Sequence, residues 1–400
     1  MKILFLSHRF PHSRIAGGHR LVYERIQYLL GRGYEVGLAS FTSNEPGSML
    51  HEAAQELLDL RTVKAPHKNV LSRVGHYVTP RMPTMFLRNY SEEMMRRVGN
   101  LVEKEHYEVV IAEFSEMGQY LYCNPYLPAV RKIISCHRCL TTSFMKYVRT
   151  AGLPFLLRAK SLLQFLAIRR YEFEMYRHMD RVIVLTSQDH SELLNYAPDL
   201  YLDIVPMGVD TGYLQKEQVE EERPIVLMTG YYRDIANLDA AVWFYRYVWP
   251  RLREDNPELE FHIVGADPPR RLQRLGARDK RVTVTGRVDD LRPYRHRSQV
   301  FVCPVRLGAG ARTKCLEAMA SGLPVVSTSL GMAGLPAENG DNCLVADTPE
   351  LMRQCVQWLL SDEQLRKKIR NNASRMIRER FSMEKSMGAL EKTVRDVASL

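Results

Sequence analysis

Five residues between Pro304 and Ser327 carry matched chemistry within a short span: Gly308, Gly310, Arg312, Lys314 and Glu317. A short apolar run ends at Pro304 and a glycine-bearing loop follows. A helical pattern then covers Arg312–Ala320, and Gly322-Leu323-Pro324 turns into a second apolar run. Glycine lets backbone approach a ligand closely, and a helix N-terminus presents free N–H groups to an anion. Arg312 and Lys314 add side-chain cations at that same end. Glu317 sits about one turn further in, where a carboxylate accepts hydrogen bonds from two ribose hydroxyls. Phosphate at the helix start and sugar one turn on is the arrangement a bound nucleoside diphosphate needs. Singly, the glycines fit a plain turn, the cations fit a charged surface, and Glu317 fits a solvated helix face. Their coincidence at one strand-to-helix junction is what points to phosphate.

Around this segment, short apolar runs alternate with helical patterns, the signature of parallel sheets with crossover helices. In the first half the pattern predicts strands at Lys2–Ser7, Glu35–Phe41, Thr62–Lys64, Val109–Glu113, Lys132–Ser135 and Arg181–Leu185. Helices are predicted between them at His19–Leu30, His51–Asp59, Ser91–Lys104 and Phe155–His178. A linker follows near Pro206-Met207-Gly208-Val209-Asp210, and the alternation then restarts. The second half is predicted to hold strands at Ile225–Thr229, Glu260–Val264, Val282–Thr285, Val300–Pro304, Pro324–Ser327 and Cys343–Val345. Its helices are expected at Leu238–Leu252, Arg312–Ala320, Glu350–Leu360, Asp362–Arg378 and Ser382–Ala398. The expected organisation is two Rossmann-like α/β domains, 1–206 and 207–381, with the C-terminal helix 382–400 packing back on the first. Open α/β sheets bind ligands beyond the carboxyl ends of their strands. Two such ends across a cleft would hold two substrates, which favours group transfer over hydrolysis.

The chain of 400 residues has an apolar fraction of 45%, so two ordinary cores are expected rather than disorder. No run of eighteen apolar residues spans a membrane, and the apolar start at Ile3–Leu6 is too short for a signal peptide. Seven cysteines without a framework fit a reducing cytoplasm. Cys136 and Cys139 have metal-like spacing but lack a second pair of ligands. The net charge is +10, and residues 61–180 hold 19 Lys/Arg against 10 Asp/Glu. With no nucleic-acid motif in view, that surplus suits an anionic lipid or a phosphate-bearing substrate, or is simply a solvated basic face.

The segment 304–327, with Ala318-Met319-Ala320 and Gly322-Leu323-Pro324-Val325-Val326, resembles the nucleotide-sugar signature of glycosyltransferase family 4, enzymes of the GT-B fold. Arg177-His178-Met179-Asp180, Val205-Pro206-Met207-Gly208-Val209-Asp210, Gly286-Arg287-Val288 and Glu379-Arg380-Phe381-Ser382 agree with it. The resemblance covers nearly the whole chain and is strongest from Glu174 onward. It implies a retaining transfer of a sugar from a UDP or GDP donor to a hydroxyl on a glycan or lipid-linked acceptor. Glu317 matches the second carboxylate of the family's Glu-x7-Glu pair, but Ala309 stands at the first. The loop looks like the Gly-x-Gly-x-Arg-x-Lys variant, in which backbone at Gly308, Gly310 and Ala311 with Arg312 and Lys314 holds the diphosphate. The resemblance further places Gly230, Arg233 and Arg287 near that diphosphate. In the first half it makes Gly17, Gly18 and His19 the glycine loop facing the donor, and sets His137 near the transferred sugar. No Asp-x-Asp pair is present to clamp a metal–diphosphate complex, so neither metal nor cofactor is expected.

Two rivals remain. A nucleotide-sugar epimerase of the same fold would work in a closed pocket with carboxylate acid–base pairs. A non-catalytic GT-B scaffold gains a foothold from Ala309, against which Arg312, Lys314 and Glu317 argue. Finally, 152–170 is both apolar and basic. Phe155, Leu156, Leu162, Leu163, Leu166 and Ile168 mostly share a helical face, and Arg158, Lys160, Arg169 and Arg170 are the only charges. A basic amphipathic helix can lie on an anionic membrane surface, here the inner face. Periodicity alone does not separate that from a helix packed on its own domain.

Overall fold

The computed structural model describes residues 1–12, 18–42, 50, 55–66, 82–150, 155–214, 224–308 and 312–400. Side chains 146, 147, 149, 150 and 155–159 are also outside the description. The chain divides into two compact units: Met1–Pro206 with Met387–Leu400, and Met207–Ser386.

The first unit carries strands β1 (Lys2–Ser7), β2 (Glu35–Thr42), β3 (Asp59–Lys64), β4 (Val109–Glu113), β5 (Arg131–Cys136), β6 (Arg181–Val184) and β7 (Leu202–Ile204). They form one parallel sheet in the order β3-β2-β1-β4-β5-β6-β7. Strands buried on both faces read as continuous apolar runs. That is why Ile3–Leu6 and Val109–Ala112 are fully buried with no polar alternation. Besides the short turns Thr84–Leu87 and Ser115–Tyr120, the described helices are α1 (Gly18–Gly31), α2 (Glu92–Glu105), α3 (Leu140–Thr150), α4 (Phe155–Arg177) and α5 (Ser187–Tyr196). Ser91 caps α2 by accepting from the Met94 N–H, and Thr186 caps α5 through the Asp189 N–H.

The second unit has strands β8 (Ile225–Thr229), β9 (Glu260–Val264), β10 (Val282–Val284), β11 (Val300–Cys303), β12 (Val325–Ser327) and β13 (Leu344–Val345), parallel in the order β10-β9-β8-β11-β12-β13. Besides the single turn Thr211–Leu214, its described helices are α6 (Ile235–Tyr247), α7 (Trp249–Asp255), α8 (Arg270–Arg278), α9 (Arg292–Arg297), α10 (Thr313–Ala320), α11 (Pro349–Ser361) and α12 (Glu363–Arg380). The last helix, α13 (Met383–Ala398), ends the chain. From Met387 onward it belongs to the first unit, where Leu390, Val394 and Val397 are buried and Glu391 accepts from the Tyr28 and Tyr34 hydroxyls.

Several elements depart from the sequence pattern. The helix expected at Leu238–Leu252 begins at Ile235, where Asp234 caps it, and breaks before Trp249 because Pro250 has no N–H to donate. Of the helix expected at His51–Asp59, residues 51–54 lie outside the description and Asp59 begins β3. Strand β7 and helices α3, α5, α8 and α9 are short and are not predicted by the sequence pattern; α8 is rich in arginine, and only its Leu272 is buried. The expected face of α4 also needs correcting. Ile168 and Phe165 are buried in the first unit, whereas Leu162, Leu163 and Leu166 are exposed beside Lys160, Arg169 and Arg170. Phe155, Leu156 and Arg158 are outside the described side chains.

Candidate active site

In the second unit, four neighbouring strands deliver their carboxyl ends to one edge of the sheet. Beyond β8 come Gly230 and Arg233, beyond β9 Gly265 and Asp267, beyond β10 Thr285 to Arg287, and beyond β11 Leu307 and Gly308. Gly265 has φ +145°, and a Cβ there would stand 1.9 Å from the Gly230 carbonyl oxygen. Only glycine permits that approach of two strand-end loops. Gly308 has φ +92°, again a conformation for glycine. Gly310 and Ala311, with Ala309, lie outside the described residues.

Helix α10 starts at Thr313, so Arg312 occupies the cap position and contributes no side-chain cap. The Cys315 N–H bonds back to the Arg312 carbonyl, and the Thr313 and Lys314 N–H groups ahead of it have no side-chain cap. The Arg312 guanidinium donates to the Leu307 carbonyl at 3.1 Å, which folds the loop back on its own side chain. The Lys314 ammonium donates to Asn237 Oδ1 at 2.8 Å and reaches the Thr229 carbonyl at 3.4 Å, so it lies across the end of β8. Lys314 thus reaches the end of β8 beside Gly230, while Arg312 reaches Leu307 past the neighbouring β11. Glu317, one turn on, is ion-paired with the buried Arg295 of α9 while a third of its side chain stays accessible. Arg295 was not legible as a site residue, and neither was Asn237. A carboxylate held by one guanidinium keeps free lone pairs for hydroxyl donors.

Arg233 is exposed and pairs with Asp267 at 3.3 Å. Arg233, Asp267, Thr285, Gly286 and Arg287 line one open groove of about 520 Å³. The structure therefore brings Arg233, past β8, and Arg287, past β10, to the same wall.

The first unit has its own cluster at strand ends. His8, Phe114 and His137 each stand one residue past β1, β4 and β5, three adjacent strands. The Phe114 ring stacks on His137 with centroids 4.1 Å apart, and His8 and His19 meet its other sides at 4.6 and 4.7 Å. Phe114 holds φ +75°, a strained value for a bulky residue and one that concentrates at functional sites. At Gly18 a Cβ would come within 2.8 Å of His137 Nδ1 and 2.9 Å of the Phe114 ring, which explains glycine at the start of α1. Gly17 lies outside the described residues.

Beneath this cluster is a buried ion pair. Arg25 and Glu113 are both fully buried, with Arg25 Nη1 at 2.9 and 3.0 Å from the two carboxylate oxygens and 2.7 Å from Ser135 Oγ. His137 Nε2 is 2.7 Å from Glu113 Oε2. Burial disfavours the Glu113 anion, but Arg25 and then His137 outweigh it and hold the pKa at about 2. Burial lowers the His137 pKa against the raising effect of Glu113. Burial, then Arg9, brings His8 down to about 4, and burial, then His8, brings His19 to about 3. All three rings are uncharged near neutrality.

Cys136 and Cys139 are buried thiols. Burial pushes the Cys136 pKa up to about 12, and Cys139 donates to Glu172. Among the described residues no three His, Cys, Asp or Glu side chains gather as metal ligands. None of the described helices is long and apolar enough to cross a membrane.

Comparison with known proteins fits this geometry. Residues 223–362 match the model of the family described as glycosyl transferases group 1. A Klebsiella pneumoniae protein, an uncharacterized 44.6 kDa protein in a cps region, is 20% identical over 98% of this chain and 99% of its own. The sucrose-phosphate synthase of Thermosynechococcus elongatus superposes with a TM-score of 0.72 at 16% identity over the whole of both chains. Anabaena HepE, solved in complex with UDP and glucose, superposes with a TM-score of 0.70 at 14% identity over 99% of this chain and 100% of its own. The fold is GT-B. The α/β, two-domain architecture read from the sequence is therefore correct, and the match over 223–362 covers most of the second unit and supports a glycosyltransferase.

Proposed function

We propose that the protein is a retaining glycosyltransferase of the family 4 type, moving a hexose from a nucleoside-diphosphate sugar to an acceptor hydroxyl in cell-surface glycan or glycolipid synthesis. The observation that carries this reading is the α10 N-terminus. Lys314 lies across the end of β8 beside Gly230, Arg312 stands at the helix start against the Leu307 carbonyl, and Glu317 follows one turn on. That set suits a diphosphate with a ribose beside it. In the reaction the bond from sugar C1 to the diphosphate oxygen breaks. The acceptor oxygen bonds to C1 on the same face, and its proton passes to the departing diphosphate. The protein's part is to orient both substrates and to neutralise the departing charge. Arg312 and Lys314 supply that charge, which removes the need for a metal. Arg233 and Arg287, on the adjoining groove, extend the cationic wall along the donor. The HepE complex favours UDP as the nucleotide, with GDP the alternative. A panel of UDP- and GDP-sugars, scored for donor hydrolysis and transfer, tests the reading. An inert protein across the panel overturns it.

The exposed Leu162, Leu163 and Leu166 of α4, flanked by Lys160, Arg169 and Arg170, favour a peripheral site on an anionic membrane surface. A lipid-linked acceptor would be met there.

A further inference from the structure

We propose that Arg25 and Glu113 are positioning residues that fix the tautomer of His137, leaving its Nδ1 lone pair as a hydrogen-bond acceptor for a hydroxyl of an uncharged sugar. The proposal rests on the transferase reading for the identity of the ligand, while the tautomer itself is a property of the first unit alone.

Strand register builds the relay. Glu113 and Ser135 are partners across β4 and β5, so one guanidinium reaches both, and Arg25 does so from α1 through a single nitrogen. An ionised carboxylate only accepts hydrogen bonds. The 2.7 Å contact therefore places the ring proton of His137 on Nε2. A neutral imidazole has one N–H, so Nδ1 carries the lone pair. Nδ1 is the atom 2.8 Å from the Cβ position that Gly18 leaves vacant.

Stability alone does not account for this pair. Among the described residues Arg25 Nε and Nη2 are buried with no partner, and a buried ion pair is weak evidence for stability even when fully satisfied. The surroundings point to a ligand instead. Among the described residues, His8 Nδ1 and His19 Nδ1 are also buried without a partner, around the strained Phe114 that stacks on His137. Three uncharged imidazoles with an aromatic face offer hydrogen bonds and apolar contact without charge. Such a surface suits the hydroxyls and C–H face of a sugar ring.

The test combines a spectrum with kinetics. Histidine-¹⁵N-labelled protein is recorded by long-range ¹H–¹⁵N correlation at pH 7.5, and the His137 signal is assigned by its loss in His137→Asn. The expected pattern is a protonated Nε2 and a bare Nδ1. Glu113→Gln is expected to lower kcat at least tenfold with the nucleotide-sugar KM within twofold, and to mix the two tautomers. Glu113→Asp, which keeps the charge, is expected to recover most of the rate. A protonated Nδ1 in the unaltered protein, or an unchanged kcat in Glu113→Gln, overturns the proposal. If Glu113→Gln does not fold, the spectrum of the unaltered protein decides it. If no nucleotide sugar is turned over, the transferase reading has failed, and the tautomer still tells whether the relay exists.

Discussion

Lys314 Nζ donates to Asn237 Oδ1 at 2.8 Å, and this bond ties the first turn of α10 to the first turn of α6. Asn237 also donates to the Tyr231 carbonyl at 3.1 Å, so the same side chain holds the loop after β8. The cation that faces the strand ends is thus fixed by a residue from a different crossover, 77 positions away. That arrangement makes Lys314 a preorganised charge rather than a mobile surface lysine.

Removing it should be costly to transfer. A hydrogen bond to a charged group contributes about 1.5–3 kcal/mol, so Lys314→Ala or Arg312→Ala should cut kcat/KM at least tenfold. Asn237→Ala should give a smaller loss in the same direction, because the cation remains but is no longer aimed. Two single mutants with unchanged kcat/KM and donor KM would refute the phosphate assignment.

Glu317→Ala has two separable consequences. The ribose contact is lost, so affinity for the free nucleoside diphosphate should fall, measured by calorimetry. Arg295 is also left buried without its carboxylate, and the exposed third of Glu317 tempers the cost of breaking that pair to about 1–3 kcal/mol. Equal nucleotide affinity in mutant and parent would remove the ribose role even if the thermal midpoint dropped.

The charge scheme also bears on metals. Activity should survive EDTA unchanged. Complete loss, restored by a divalent ion, would mean that the departing diphosphate is neutralised by metal and not by Arg312 and Lys314.

Stability should fall as the pH drops from about 6.5 toward 4. His8 and His19 stay neutral in the fold down to about 4 and about 3, whereas in the unfolded chain they protonate near 6.5. Between those values the unfolded state binds more protons, so acid favours it. Each tenfold change in proton affinity is about 1.4 kcal/mol, which makes His8 alone worth about 3 kcal/mol by pH 4. Glu113 acts in the next window. Its folded pKa of about 2 lies below the usual 4.5, so its contribution is present above 4.5 and is lost on the way to 2. Urea midpoints at pH 7, 5.5 and 4.5 should decline in order, and His8→Asn with His19→Asn should flatten the decline. A pH-independent midpoint in the parent protein would contradict the buried neutral cluster.

The legible and illegible parts of this molecule differ for a physical reason. Buried parallel strands such as β1 and β4 announce themselves as apolar runs, and the α10 junction concentrates glycine and charge in a few neighbouring positions. Site residues supplied from elsewhere do not. Asn237 and Arg295 meet Lys314 and Glu317 only after folding, 77 and 22 positions apart. The Arg25–Glu113 pair spans 88 positions, yet a trace of it was present in the sequence. Arg25 sits on the apolar stripe of α1, among Leu21, Val22, Ile26 and Leu29, all buried. A lone arginine on such a stripe requires a buried anion, and Glu113 closes the apolar strand Val109–Ala112.

The same contrast between stripe and surface governs α4. Ile168 and Phe165 turn inward and are buried, while Leu162 and Leu163 are 54% and 70% exposed one turn away. A helix packed only for its own core would expose polar residues there, and exposed adjacent leucines beside cations suit a lipid interface. Each Lys or Arg near an anionic surface adds about 1 kcal/mol, so Lys160, Arg169 and Arg170 together strengthen binding roughly a hundredfold. Co-sedimentation with phosphatidylglycerol-containing liposomes should therefore succeed at low salt and weaken at high salt. Substituting Leu162→Ser and Leu163→Ser should abolish the salt-resistant part, and replacing the three cations by Gln should abolish the salt-sensitive part. Because all five side chains are exposed, these changes should leave the thermal midpoint close to the parent's, the main loss being the Arg169 guanidinium 5.3 Å over the Tyr196 ring. Failure to bind anionic liposomes even at low salt would remove the membrane role and leave the exposed leucines to contact a protein partner.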